Sequence, residues 1–227
     1  LPEVLVPEWP ADPSNYVSTL EGMTCFDAPD RTWEDGARNQ LYADERARRD
    51  GREAVGALEE WLHTLRLKVS AEQVNRTNIR RTVQLLNKTN QMNLSTRRLS
   101  EAELVSWVGE RDREVWVFRV EDRFGDAGLT GILSLQAVNG GGQIVDFVLS
   151  CRVMGRGVEE TLLHHAIARA RVLGWDELLV EYLPTEKNKP CLDLMDRALL
   201  PPRGDVPIFH WSVESDFSLP DHVELSV

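Results

Sequence analysis

The sequence predicts an α/β (α+β) domain in which helices flank a mixed central sheet, preceded by a helical N-terminal extension. Three observations predict it. An apolar run of strand length, Ile144 to Leu149, passes through a glycine-containing turn into a helix whose Leu162, Leu163, Ala166, Ile167, Ala170 and Leu173 share one face. From Leu67 onward the pattern reads strand, two helices, three strands, helix, strand, helix, strand. The 227 residues are 42% hydrophobic and 28% charged, a globular balance with material for one large domain or a domain with a satellite.

Taken in order, residues 1 to 30 carry Pro2, Pro7, Pro10, Pro13 and Pro29 and read as an extended strap with one short helix near Tyr16 to Leu20. Thr32, with Asp35 three residues on, opens a charged helix to about Arg49 that Gly51 breaks. A second helix, Glu53 to Leu65, lines up Val55, Leu58, Trp61, Leu62 and Leu65. These helices form the extension, 1–66, and the main domain is 67–227. There, Leu67 to Val69 is a short strand, and Ser70 with Gln73 caps a helix to about Lys88. Thr89 to Arg98 is a polar turn, and Ser100 with Glu103 caps a helix ending near Gly109. Strands Val115 to Val120 and Leu129 to Val138 follow, and Asn139-Gly-Gly-Gly142 turns into the central strand, giving a meander. Gly174 stops the central helix. A strand from Glu177 to Leu183, a helix from about Lys187 to Leu199 closed by Pro201-Pro202, and a strand from Ile208 to Val213 complete the chain.

The turn before the central helix is Cys151-Arg-Val-Met-Gly-Arg-Gly157. The first turn of a helix leaves backbone N–H groups without partners and carries partial positive charge. Glycines let a phosphate come close to such a backbone. Arg152-x-x-Gly155-x-Gly157 therefore reads either as a pyrophosphate cradle or as a plain tight turn. It resembles the acyl-CoA-binding loop of the GNAT acyltransferases, Arg/Gln-x-x-Gly-x-Gly/Ala after the fourth strand, and the element order is similar to theirs. The resemblance implies a GNAT-like acyltransferase fold. It implies CoA or a carrier-bound phosphopantetheine as cofactor, held by Leu149, Arg152, Val153, Met154, Gly155, Arg156 and Gly157, with Asn188 against the pantetheine arm.

Four further strings resemble a narrower family. They are Leu85-Leu-Asn-Lys-Thr-Asn-Gln-Met-Asn-Leu-Ser-Thr-Arg-Arg-Leu99, Asp122-Arg-Phe-Gly-Asp-Ala-Gly128, Leu149-Ser-Cys-Arg-Val-Met-Gly-Arg156 and Glu181-Tyr-Leu-Pro-Thr-Glu-Lys-Asn188. In order and spacing they are similar to the C-terminal half of the FkbH-like proteins, over roughly residues 1 to 200. That resemblance implies handling of a phosphoglycerate-derived glyceryl unit and its loading onto an acyl carrier protein, for tetronate or methoxymalonyl units of polyketide assembly. It also implies an upstream HAD phosphatase-like half, whose end Leu1 to Leu20 resembles. No Asp-x-Asp occurs in the sequence, so HAD phosphatase chemistry is not carried by this chain. The chain opens on Leu1, not Met, and is expected to be a piece of a longer protein.

The candidate residues each have two readings. Cys151 is a nucleophile that holds a glyceryl thioester, its thiolate favoured by a helix N-terminus and Arg152 or Arg156, or a packing cysteine. Asp146 interrupts an apolar strand and Glu181 opens another run in the neighbouring strand; they are general bases, or face solvent or pair with arginine. Asp122 and Asp126 belong to a loop over the acyl site or to an Asp/Gly hairpin turn. Asn87, Asn90, Gln91 and Asn93 beside Arg97 and Arg98 suit a hydroxylated, anionic acyl unit, or cap a helix end. Of these, Asn90, Gln91, Arg97, Arg98 and Asp126 are the expected substrate contacts. His164 and His165 are a base for Cys151 or, since the helix direction places them away from its N-terminus, structural residues, and Cys191 has weaker support than Cys151.

A net charge of −11 argues against nucleic acid as a partner. Asn75 to Arg98 nonetheless holds six bases and no acid, against 20 bases and 37 acids elsewhere. That island is a docking face for an anionic partner such as an acidic carrier protein, or a solvated helix face. No run of roughly 18 apolar residues is present, so no membrane span is expected. Three scattered cysteines without a C-x-x-C fit a reducing cytoplasm, and no His/Cys spacing suits a metal.

Overall fold

Leu67, Val69 and Ala71 point into the core while Lys68, Ser70, Glu72 and Gln73 face out, so the first strand, β1 (Leu67–Gln73), follows a period of two. This corrects the expectation that Ser70 caps a helix. Ser-x-x-Gln matches a capping pattern, but burying three alternate apolar residues against a neighbouring strand decides the matter. The turn comes later, where the Asn75 and Asn78 side chains accept from backbone N–H groups at 2.8 Å, and α4 starts only at Ile79.

The computed structural model describes residues 9–23, 38–198 and 207–227. The expected helix start at Thr32 with Asp35, the strap before residue 9, and the Pro201-Pro202 stop lie outside the described residues. The chain divides into two compact units, 1–36 and 37–227. In the smaller unit a 3-10 turn at Pro13–Asn15, capped by Asp12, leads into the short helix α1 (Tyr16–Glu21). Trp9 and Tyr16 stack there with ring centres 5.3 Å apart.

The larger unit begins well before the expected boundary at 66. Helices α2 (Arg38–Glu53) and α3 (Leu58–Leu65) belong to it. Trp61 and Leu65 of α3 are core residues, which is why this helix does not act as a linker. Gly51 does not end α2. A Cβ there would sit 3.1 Å from the Phe124 ring, so the glycine admits the close packing of helix on hairpin. The order continues with α4 (Ile79–Lys88), β2 (Met92–Asn93), α5 (Glu101–Val108), β3 (Arg113–Asp122), β4 (Gly125–Val138) and β5 (Gly141–Leu149). Then come α6 (Val158–Val172), β6 (Glu177–Glu181), α7 (Lys189–Ala198), β7 (Ile208–Ser212) and β8 (Val223–Ser226).

The sheet is mixed and eight-stranded, ordered β7-β6-β5-β4-β3-β1-β8, with β2 added against β5. β3, β4 and β5 form the expected antiparallel meander, while β6 lies parallel to β5 and β8 parallel to β1. Helices cover both faces. Trp116 and Phe118 of β3 turn to the side of α3, α6 and α7, and Val115 and Val117 turn to α4 and α5. The predicted Ser100 and Glu103 capping box is present at α5. β2 and β8 went unforeseen: one is two residues long and the other depends on a distant partner.

Candidate functional site

β5 carries the site. It pairs with β6 over only Gly142, Gln143 and Ile144. A bulge at Val145 follows, since Ser134 pairs with Asp146 and Leu135 with Ile144. Beyond it the two parallel strands no longer pair, a place where open sheets commonly take ligands. Here the protein's own backbone occupies the free edge of β5. Met92 pairs with Leu149 and Asn93 with Val148, and the Leu94 N–H donates to the Phe147 carbonyl at 3.1 Å. On the far side the Leu183 N–H reaches the Leu94 carbonyl at 3.4 Å.

Asn188 locks this inserted segment. Its Oδ1 accepts from Tyr182 Oη at 2.9 Å and from the Thr185 N–H at 2.7 Å. Its Nδ2 donates to the Asn93 and Leu183 carbonyls at 3.1 and 2.9 Å. All four hydrogen-bonding positions of the amide are used and the residue is fully buried. Asn188 therefore holds its own chain where a pantetheine contact was expected. Cys191, one turn on, is buried with Sγ 3.3 Å from Met92 Sδ, and burial pushes its thiol up to about 12.

Cys151 lies at the opposite extreme. It opens a 3-10 turn, Cys151–Val153, just past β5, and its side chain is exposed. The packing reading for this cysteine does not hold. The turn is tied down around it: the Ser150 N–H meets the Thr130 carbonyl at 2.8 Å and Arg152 Nε lies 3.3 Å from Ser150 Oγ.

The loop from 153 to 157 is shaped as a cradle, with Gly155 and Gly157 both at positive φ. Its contents differ from the expectation. The Val153 N–H bonds to the Ser150 carbonyl, and the Val153 side chain is core, as is that of Leu149. Met154 packs against that core as well. The Gly155 N–H donates to Glu159 Oε1 at 2.6 Å. Glu159 is only 6% exposed, and burial raises its pKa despite bonds from the Gly155 N–H and its own. Glu160 adds a second acid to the first turn of α6. Pro220 and His222 lie over Gly157, where a Cβ would meet His222 Nε2 at 2.7 Å. Sequence reasoning passed over Glu159. The available signal was an acid four residues after Gly155, able to reach back along the helix.

Arg156, expected at a phosphate, is turned inward and 6% exposed. Its Nη2 donates to Glu45 Oε2 at 2.9 Å and to the Arg152 carbonyl at 2.6 Å, and its Nη1 lies 3.4 Å from Asp122 Oδ2. Arg48 grips the same Asp122 with two bonds, of 2.6 and 3.1 Å. Burial, then the Arg48 charge, holds the Arg156 pKa below its ordinary value. This cluster ties α2 to the β3–β4 turn and to the loop.

Asp146, the candidate base, takes its other reading. Arg97 grips both of its oxygens and Ser95 Oγ donates at 2.9 Å, with Asp146 1% exposed. The Arg97 guanidinium also lies 4.7 Å above the Trp107 ring. Arg98 bonds the Leu86 carbonyl and Asn90 Oδ1, and Asn87 exchanges two bonds with Leu99, so the amide cluster caps the end of α4. Gln91 is exposed. Asp126 pairs with Arg119 and accepts from the Gly128 N–H at 2.7 Å, a hairpin role. Glu181 is half-buried at the end of β6, its backbone paired with Ile208.

Among the described residues no group of three or more His, Cys, Asp or Glu side chains gathers to hold a metal ion, and no helix is long and apolar enough to cross a membrane.

No protein-family model matches the chain, and no curated protein sequence does. Solved structures do match. The GNAT domain of S. lividans PAT is 17% identical, with a TM-score of 0.50, over 63% of this chain and 89% of that one. Spermidine N-acetyltransferase from Vibrio cholerae, solved in complex with CoA and spermine, is 15% identical, with a TM-score of 0.46, over 63% of this chain and 95% of that one. The fold is that of the GNAT acetyltransferases, a mixed sheet flanked by helices. The residues here do not fit CoA in the cradle. An internal carboxyl takes the Gly155 amide, Arg156 serves an internal network, and residues 92–94 fill the gap between β5 and β6.

Proposed function

We propose that this chain transfers an acyl group between protein-borne thiols, with Cys151 as the residue that carries it. The acyl group is of the glyceryl type and the partner is an acyl carrier protein, as the resemblance to the FkbH-like C-terminal half implies. The observation that carries the reading is the exposed sulfur at the end of the central strand of a GNAT fold. Cys151 Sγ, as thiolate, attacks the carbonyl carbon of the incoming thioester. The tetrahedral intermediate collapses, the carbon–sulfur bond to the donor thiol breaks and that thiolate takes a proton from water; the thiolate of the acceptor carrier's arm then attacks the Cys151 thioester by the same exchange, takes the acyl group and frees Cys151. Exchange between two thioesters is close to balanced, so no other energy source enters. The upstream HAD half that the resemblance implies supplies the dephosphorylated unit, and the reaction belongs to the cytoplasm.

Intact-mass measurement after incubation with a glyceryl-loaded carrier tests it. The wild type gains one acyl mass and Cys151→Ser gains none. Equal loading of the variant defeats the reading.

A second reading has its own support. The filled β5–β6 gap and the internally paired loop favour a module that has given up transfer and docks the carrier for the HAD half. Arg97 is tied to Asp146, so its reversal would test folding, not docking. Arg76 and Lys88 are exposed members of the basic island. On this reading Arg76→Glu with Lys88→Glu weakens carrier binding at least tenfold while Cys151→Ser leaves it unchanged.

A further inference from the structure

We infer that the Glu159 side chain is the resident occupant of the amide loop at residues 153–157, and that it restricts this chain to acyl groups borne on a carrier protein, against acyl-CoA. The carrier half of this statement rests on the proposed function; the occupancy half stands without it.

The geometry is specific. Glu159 sits in the first turn of the fifteen-residue helix α6, and helical side chains lean toward the N-terminus. Its Oε1 takes the Gly155 N–H at 2.6 Å, the amide that the positive φ of Gly155 turns toward it. Oε2 is sealed from solvent with no hydrogen-bond partner. A buried carboxyl oxygen without a partner is uncommon, and here the other oxygen, on the Gly155 N–H, is what keeps the group in the loop. Arg156, within the loop, is turned away to Glu45 and Asp122. A diphosphate entering here would have to displace the Glu159 carboxyl group, while Glu160 beside it is paired with Arg197 at 3.7 Å. Like charges about 4 Å apart near a protein surface cost roughly a thousandfold in affinity. A carrier-borne arm does not meet this obstacle. It has one phosphodiester, which stays at the carrier surface while the thioester reaches Cys151.

Calorimetric titration of the whole chain with inorganic pyrophosphate and with CoA tests the occupancy. The wild type gives no saturable heat with either at millimolar concentration. Glu159→Ala, its fold checked by circular dichroism, gains at least about tenfold in pyrophosphate affinity. Glu159→Gln keeps an acceptor for the Gly155 N–H and removes only the charge, so it serves where the alanine variant does not fold, and it gains in the same direction. Saturable CoA binding by the wild type overturns the inference, as does a folded variant set with no gain for pyrophosphate. In parallel, wild-type Cys151 loads from the acyl carrier and not from the matching acyl-CoA. Equal loading from both overturns the inference. Loading from neither, with the pyrophosphate result intact, strikes the proposed function alone.

Discussion

Two cysteines on neighbouring elements have opposite fates. Cys151 lies on an exposed turn just past β5, whereas Cys191 lies under the inserted segment between β5 and β6, touching Met92. The thiol chemistry of the two is the same, so the difference comes from what the surrounding backbone does. Around Cys151 the chain turns away from the sheet. Around Cys191 it closes over the sheet edge with β2 and the Asn188 hub. The comparison teaches that in this fold a strand end becomes exposed surface or sealed core according to whether another segment pairs with it.

Alkylation measures the contrast directly, and its effect is the largest expected. Burial pushes the Cys191 thiol up to about 12, so at pH 8 only about one thiol in ten thousand is ionised there. Iodoacetamide followed by peptide mapping will label Cys151 at least about a thousandfold faster than Cys191 in the native protein. In denaturant the two rates converge. Removing the lock should erode the difference: Asn188→Ala loses four buried hydrogen bonds at once and costs about 4 kcal/mol by denaturant unfolding. Labelling of Cys191 rises with it, while that of Cys151 is unchanged.

Asp146→Ala acts on the same segment from its other end. It leaves the Arg97 guanidinium, 23% exposed, without its carboxylate and costs about 3 kcal/mol. Arg97→Met, which keeps contact with Trp107, is expected to cost as much, because the carboxylate left behind is 1% exposed. A smaller effect, away from both regions, follows from His165, wedged between Trp116 and Phe118. Burial, with a lesser push from Arg169, lowers its pKa to about 4 from 6.5. A histidine held neutral in the folded state binds its proton first in the unfolded state. Its contribution is therefore complete above pH 6.5 and is lost as pH falls toward 4. About 2 kcal/mol is gone by pH 5, and the slope between pH 7 and 5 flattens in His165→Gln.

What was legible in the sequence was local. Ser100 and Glu103 announce the start of α5 because both bonds of a capping box lie within four residues. Gly174, at positive φ, closes α6 for a similarly local reason. The meander was visible because alternation and the Asn139–Gly142 turn are short-range signals. Ser70 misled because the local pattern and the pairing of β1 with β3 pointed to different structures, and pairing prevailed. Within the site, Cys151 and the two glycines could be picked out by position. The partners of Asp146, Arg156 and Asn188 could not, because those contacts join residues 49, 111 and 95 positions apart.

The sequence by itself determined the order of the longer elements, β2 and β8 excepted, and the place of the turn after the central strand, since periodicity, caps and glycines act within a few residues. Only the tertiary structure decided which groups fill that turn and which strand edges remain open. Those outcomes depend on side chains and strands that meet across long loops, and burial forces every polar group brought inside to find a partner among whatever the fold delivers there.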